Sequence, residues 1–141
     1  MIDLGAEFRR LINRHGETDY PYECCGLLIG KFDGATKIVE ETFPISNARE
    51  EAAKRNRFLI TPDEFALGEK HARDHGRDIV GFYHSHPDHP AIASAYDLDH
   101  AWPLYSYVIV SVRQGTAVDM LSWVLHDDRE KFESEIILKG V

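Results

Sequence analysis

The chain has 141 residues, enough for a core that is stable without disulfides or a structural metal, so we expect one domain spanning residues 1–141. Its 16 basic residues against 24 acidic ones give a formal net charge of −8 at pH 7, which argues against a nucleic-acid partner. The chain contains no apolar run as long as a signal-peptide core or a transmembrane helix. We therefore expect a cytoplasmic protein that does not bind membranes.

The first predicted element is an amphipathic helix. Apolar residues recur at helical spacing from Leu4 to His15. Asp3 is suited to cap the start of this helix, and Gly16 is suited to end it.

The second element is a short apolar strand from Cys24 to Ile29, whose composition predicts burial on both faces. It holds the only two cysteines of the chain. Because they are adjacent, and a bridge between neighbours is strained, no disulfide is predicted. A buried cysteine usually packs as a small apolar residue, so we interpret Cys25 as part of the core and not as a nucleophile.

A hairpin and a second helix follow. Asp33-Gly34 predicts a tight turn into an antiparallel strand from Thr36 to Ile45. The charged segment from Ser46 to Asn56 is interpreted as a solvated loop, with a flap beside an active site as the alternative. The run Thr61-Pro62-Asp63-Glu64 matches a capping box with proline at the first helical position, which predicts a helix from Pro62 to His75.

The second half of the chain is dominated by strands. The predicted elements are a strand from Ile79 to His84 that Pro87 ends, a short helix beginning at Ser94, a hairpin of Tyr105–Val112 and Ala117–Leu125 around Gln114-Gly115, and an edge strand from Phe132 to Leu138. Strands with two or three helices predict an α/β fold. We expect a single-domain sandwich with a mixed, mostly antiparallel sheet.

A compact set of polar residues follows the central strand. Side chains two apart on a strand point to the same face about 6–7 Å apart, so His84 and His86 can converge on one ion. A catalytic zinc site has three protein ligands and a water, and Asp97 is the best third ligand. Each motif also has a plain structural interpretation, because a lone His-x-His is weak and Ser94-x-x-Asp97 is itself a capping box. The combination of the two favours a metal site.

A metal hydrolase also needs a general base. Glu23 precedes the buried strand at the sheet end that carries His84, but periodicity alone does not select it over Glu40 or Glu41. Glu23-Cys-Cys-Gly-Leu-Leu-Ile-Gly, followed by His-Ser-His-Pro, six residues, Ser94, two residues and Asp97, resembles the complete signature of the JAMM (MPN-plus) zinc metallopeptidases.

That resemblance implies a fold, a cofactor and a set of roles. The fold is the cytidine-deaminase-like JAB/MPN fold. His84, His86 and Asp97 would bind Zn²⁺, Glu23 would be the general base, and Ser94 would stabilise the oxyanion. Because imidazoles bind metal only when neutral, we predict that activity falls below about pH 6.

The chain most resembles short bacterial members that act on ubiquitin-like sulfur-carrier proteins. The resemblance thus implies a zinc-dependent peptidase or isopeptidase that cleaves the amide bond after the C-terminal glycines of such a protein. We expect the extended tail to add to a sheet edge beside the metal. Two alternatives remain open: a zinc hydrolase of small amides, and a non-catalytic binding module of MPN type. The oligomeric state is not predicted.

Overall fold

The computed structural model of the protein describes residues 1–46, 60–99, 101–125 and 131–138. Of residue 99 it describes only the backbone. The helices and strands within these ranges are, in chain order, β1 (Ile2–Asp3), α1 (Gly5–Asp19), β2 (Cys25–Asp33), β3 (Thr36–Ile45), α2 (Pro62–Asp74), β4 (Asp78–Pro87), α3 (Ala95–Asp99), β5 (Ser106–Arg113), β6 (Thr116–Leu125), β7 (Phe132–Glu135) and β8 (Ile137–Leu138). Apart from Ser46, the predicted loop from Ser46 to Asn56 lies outside the described residues.

The eight described strands form one sheet in the order β7-β6-β5-β4-β2-β3-β1-β8. Strand β4 pairs with β5 in parallel, and β1 is parallel to both β3 and β8, whereas the other pairs are antiparallel. The predicted mixed, mostly antiparallel sheet flanked by helices is therefore confirmed.

Helix α1 is longer than predicted, and both of its predicted ends are wrong. It starts at Gly5 with Leu4 as an N-cap that makes no side-chain cap bond, and it continues through Gly16 to Asp19. A Cβ on Gly16 would lie 3.0 Å from Val112 and 3.4 Å from the Cβ of Ser85. Gly16 thus permits close approach of the helix to the sheet, a tertiary role that the local helix-stop rule does not anticipate.

Helix α2 follows the prediction closely. The Thr61 hydroxyl accepts the backbone N–H of Glu64 at 3.2 Å, and Pro62 occupies the first helical turn. Both predicted hairpins form as well. The Gln114-Gly115 turn has positive φ at both residues, as the twist of a tight hairpin requires, and the first turn falls one residue later than predicted, with Gly34 at φ +58°.

The sheet is packed on both faces, which explains why β2 is almost wholly buried. Leu28 of β2 and Cys24, which directly precedes the strand, join the core that includes Ile12 of α1. The residues between them, such as Cys25 and Leu27, pack with Ala72 of α2. No described helix is both long enough and apolar enough to cross a bilayer.

The last part of the chain forms two short strands where one was predicted, and they lie at opposite edges of the sheet. Strand β7 pairs with β6, β8 pairs with β1, and only Ile136 separates them in sequence. The sheet must therefore curl until its two edges meet. Glu135 marks the meeting point, because its carboxylate accepts hydrogen bonds from Lys37 of β3 and Ser106 of β5.

Strand β4 lies in the interior of this sheet. It pairs with β2 as far as His84 and with β5 as far as Pro87. The edge strands among the described residues are β7 and β8. Beyond His84, β4 has a paired neighbour in the described sheet only on the β5 side, and the expectation that a substrate tail adds to a sheet edge beside the metal stays a prediction.

Candidate metal centre and active site

The two histidines predicted as ligands lie within β4 on one face of the sheet. Both side chains are buried, and their Nε2 atoms are 3.1 Å apart. The Nδ1 atom of His86 is 2.9 Å from the carbonyl oxygen of Pro90. In the neutral ring, a hydrogen donated by Nδ1 to this carbonyl leaves Nε2 as the metal-binding nitrogen.

Asp97 joins the histidines from α3. Its Oδ1 is 3.2 Å from Nε2 of His84, and its Oδ2 is 3.2 Å from Nε2 of His86. Ser94 and Asp97 also form a reciprocal cap, since the Ser94 N–H donates to Oδ2 of Asp97 at 2.8 Å and the Asp97 N–H donates to the Ser94 hydroxyl at 3.1 Å. The capping and metal-binding interpretations are thus compatible, because the cap orients the carboxylate toward the histidines.

Electrostatics couple the three groups tightly. Burial lowers the pKa of His84 by more than the charge of Asp97 raises it. Burial also opposes protonation of His86, but its hydrogen bonds to Asp97 and to the Pro90 carbonyl outweigh this effect and raise its pKa. Burial would raise the pKa of Asp97, yet the charge of His84 and the hydrogen bonds it receives hold that pKa well below its usual range.

The residues present fit a metal ion. Ligand atoms of His84, His86 and Asp97 all lie within 4.8 Å of one another. Their closest separations of 3.1–3.2 Å compare well with the roughly 3.3 Å between neighbouring ligand atoms of a tetrahedral zinc. Two imidazoles and one carboxylate are also a typical donor set for a catalytic zinc ion, which keeps its fourth position for water.

Glu23 lies at the entrance of β2, next to this cluster, and is only 3% exposed. Burial raises the pKa of its carboxyl to about 8, an effect that the charge of His86 opposes and that of Asp97 reinforces. These interactions place Glu23 close to His86 and Asp97. Of the other two glutamates left open by the sequence, Glu41 instead pairs with His71 on α2, at 2.8 Å, and Glu40 lies 3.5 Å from Arg77.

The loop between His86 and Ser94 is held by residues that sequence reasoning missed. Asp88, at φ +58°, accepts hydrogen bonds from the hydroxyl of Tyr20 at 2.6 Å and from the backbone N–H of Gln114 at 2.8 Å. The backbone N–H of Asp88 donates to Val112 at 2.7 Å. This aspartate ties the loop to Tyr20, which directly follows α1, and to the β5–β6 turn.

Two further side chains hold carbonyls of the same loop. The hydroxyl of Ser111 donates to the carbonyl of His89 at 2.5 Å, and the indole N–H of Trp123 donates to that of Ala91 at 2.9 Å. Trp123 therefore has a polar role in addition to the core role predicted for it. The polar atom that tryptophan carries is the only sequence signal for this contact, because buried indoles usually find an acceptor.

The cysteines are not part of this chemistry. Both are free and buried, and burial raises the pKa of Cys24 to about 12 and that of Cys25 further. Thiols in this state are poor nucleophiles at neutral pH, which agrees with their interpretation as core residues.

An apolar cavity of about 660 Å³ lies beside the cluster. Its lining includes Phe82, which precedes His84 by two residues on the same face of β4, and Tyr96, which adjoins Asp97. Phe65 from α2 and Trp102 line it as well. The volume is in the range of ligand-binding clefts in proteins.

This fold and site define a JAB/MPN domain. A JAB1/MPN domain protein from Archaeoglobus fulgidus superposes with a TM-score of 0.57 over 99% of this chain and 98% of its own, and at 18% identity it shows the fold. A protein from Desulfitobacterium hafniense superposes with a TM-score of 0.85 at 32% identity, over 100% of this chain and 94% of its own.

The sequence comparisons support the same family as the structural ones. Residues 5–126 match the family described as prokaryotic homologs of the JAB domain. A desampylase from Haloferax volcanii is 36% identical over 115 residues, which cover 78% of this chain and 80% of the relative. The chain belongs to the prokaryotic JAB-domain family.

Proposed function

We propose that the protein is a zinc-dependent isopeptidase or peptidase that cleaves the amide bond after the C-terminal glycines of a ubiquitin-like protein. The observation that supports this most is the convergence of His84, His86 and Asp97 beside the buried Glu23. The similarity to a desampylase supports the substrate class, since that name denotes removal of a ubiquitin-like modifier.

Each residue has a distinct role in the proposed reaction. His84, His86 and Asp97 would hold the zinc through two Nε2 atoms and a carboxylate oxygen. The bound ion would supply a Lewis acid and make water nucleophilic at neutral pH. Glu23 takes the proton from the attacking water and passes it to the departing amine, a transfer suited to a carboxyl whose pKa is raised toward neutrality.

Ser94 is the proposed oxyanion partner. Its hydroxyl accepts the Asp97 N–H, and a hydroxyl that accepts one hydrogen bond can still donate its proton. Ser94 is exposed, so a substrate carbonyl can reach it. A donor placed in advance at the developing negative charge contributes about 10²–10³-fold in related acyl transfers.

Within that substrate class, we propose a sulfur-carrier protein with an additional residue or peptide after its terminal glycines. A glycine-rich tail is narrow enough to reach a buried metal cluster. The apolar cavity lined by Phe82 and Tyr96 could hold side chains of the carrier protein that come just before its glycine tail.

The direct test is to incubate the zinc-loaded protein with sulfur-carrier proteins extended beyond their terminal glycines and to follow the mass of each. We expect release of the extension from a carrier, and no release after zinc is removed with a chelator. Cleavage of small amides without cleavage of any carrier would instead indicate the small-amide hydrolase. Absence of bound zinc together with no cleavage would indicate a binding module.

A further inference from the structure

We propose that Ser85, the residue between the two histidines, is a positioning residue that sets the place of Glu23 over the metal cluster. This inference rests on the proposed function, in which Glu23 is the general base. Ser85 is fully buried, and its side chain points to the face of β4 opposite to His84 and His86. It therefore touches neither the metal nor the substrate.

The hydrogen bonds of Ser85 link it to the strand that carries the base. In the register of β2 and β4, Cys25 pairs with His84, which places Cys24 opposite Ser85. The Ser85 N–H donates to the carbonyl oxygen of Cys24 at 3.2 Å. The Cys24 N–H donates to the side-chain hydroxyl of Ser85 at 2.8 Å.

The second of these bonds is unusual for a sheet. At each hydrogen-bonded pair of an antiparallel ladder, the two opposed residues exchange two backbone bonds. Here a side chain accepts the bond in place of the backbone carbonyl, at the point where β2 begins. The hydroxyl of Ser85 thus extends the pairing of β2 and β4 to Cys24, the residue just before β2. Cys24 directly follows Glu23.

The surroundings of Ser85 make this bond rigid. Gly16 of α1 approaches so closely that a Cβ there would lie 3.4 Å from the Cβ of Ser85, and Val110 and Val112 of β5 pack at the same point. A buried Cys24 N–H without an acceptor would be costly, because no water reaches it. Removing the hydroxyl should therefore release the entrance of β2 and move Glu23 away from the cluster.

The test uses the zinc-loaded protein and three variants. Ser85→Ala should lower kcat on the order of 10²-fold, as expected for a misplaced catalytic group, while KM and zinc affinity stay unchanged. Ser85→Thr keeps the hydroxyl and should retain a higher kcat than Ser85→Ala, although its extra methyl must fit against Gly16 and Val112. The matched control is Ser122→Ala, which removes another buried hydroxyl, hydrogen-bonded to Glu135 at 2.9 Å, and should keep the wild-type kcat.

Hydrogen exchange separates this inference from the proposed function. The Cys24 amide should exchange faster in Ser85→Ala than in the wild-type protein, whether or not the right substrate is at hand. Wild-type kcat in Ser85→Ala would overturn the proposal, as would a loss of kcat that only parallels a loss of zinc affinity. If the wild type cleaves no carrier, the proposed function fails, and unchanged exchange at Cys24 would then overturn the positioning role as well.

Discussion

Two buried carboxylates in this protein have pKa values shifted in opposite directions by their surroundings. Glu135 accepts hydrogen bonds from Ser106 at 2.6 Å, from Ser122 at 2.9 Å and from Lys37 at 3.2 Å. These donors outweigh the effect of burial and lower its pKa. At Glu23 burial dominates instead and raises the pKa to about 8.

This difference in pKa distinguishes a carboxylate that stabilises the fold from one that is suited to proton transfer. A carboxylate whose charge is matched by surrounding donors stabilises the fold and has little tendency to exchange protons near neutral pH. A carboxyl whose pKa is raised toward neutrality by burial costs stability when it ionises, but it is suited to taking and returning a proton. Three predictions test this difference between Glu23 and Glu135, and a fourth tests the loop that leads from His86 to Ser94.

The largest expected effect is that of Glu23→Gln on catalysis. Glutamine keeps the shape of the side chain but cannot take a proton, so kcat/KM for carrier cleavage should fall by about 10²–10⁴-fold. Zinc content should not change, because Glu23 is not a proposed ligand. Steady-state kinetics and metal analysis of the purified variant measure both quantities, and wild-type activity in this variant would remove Glu23 from the mechanism.

The second prediction concerns stability against pH in the zinc-free protein. The pKa of Glu23 is about 8 when folded and 4.5 as a reference, so the folded state binds more protons between these values. Stability from this group is therefore present below pH 4.5 and is lost as pH rises toward 8. Each pKa unit is worth about 1.4 kcal/mol, so the loss amounts to several kcal/mol.

Urea denaturation of zinc-free wild type and Glu23→Gln over this pH range measures the effect. The wild type should lose stability relative to the variant as pH rises. A constant difference between the two curves would contradict the assigned pKa of Glu23.

The third prediction is that Glu135 changes stability with pH in the opposite direction to Glu23. Its pKa is lowered on folding, so its contribution to stability is present above the unfolded value and is lost as pH falls through the folded one. Glu135→Gln should lower the free energy of unfolding by about 1–3 kcal/mol near neutral pH, because the ion pair with Lys37 is lost. Its kcat should equal that of the wild type, which makes it the matched control for Glu23→Gln.

The smallest expected effect is that of Trp123→Phe. Phenylalanine keeps an aromatic ring but loses the N–H that donates to Ala91, so the free energy of unfolding should fall by about 0.5–1.5 kcal/mol. Amides of the loop between His86 and Ser94 should exchange faster, and kcat should fall several-fold. Unchanged exchange in this loop would show that Ser111 and Asp88 hold it without the indole.

The elements that were predictable from sequence depend on local interactions. The capping box at Thr61 and the turn at Gln114-Gly115 depend on residues three or fewer apart, so the sequence alone predicts them. The specific spacing of the motif also predicted that His84, His86 and Asp97 come together, whereas the roles of Glu23 and Ser94 stay predictions. The grouping of His84, His86 and Asp97 follows from strand geometry and a helix cap.

The elements that were missed depend on contacts that sequence spacing does not display. Gly16 serves the close packing of α1 on β5, so a rule about helix ends misjudges it. Asp88 reaches Tyr20, and Ser85 reaches Cys24, each more than sixty residues away in sequence. Such partners become visible only when the register of β2, β4 and β5 is known.

The curling of the sheet, with β7 and β8 at opposite edges, also has a kinetic consequence. Ile2 pairs with Ile137, so this contact joins residues near the two ends of the described chain. Contacts so distant in sequence carry a large loop-closure entropy and slow folding. The β2–β3 hairpin closes a short loop, whereas β1 lacks its neighbour β8 until the two ends of the described chain come together. During that interval the unpaired edge of β1 can pair with a strand of another copy.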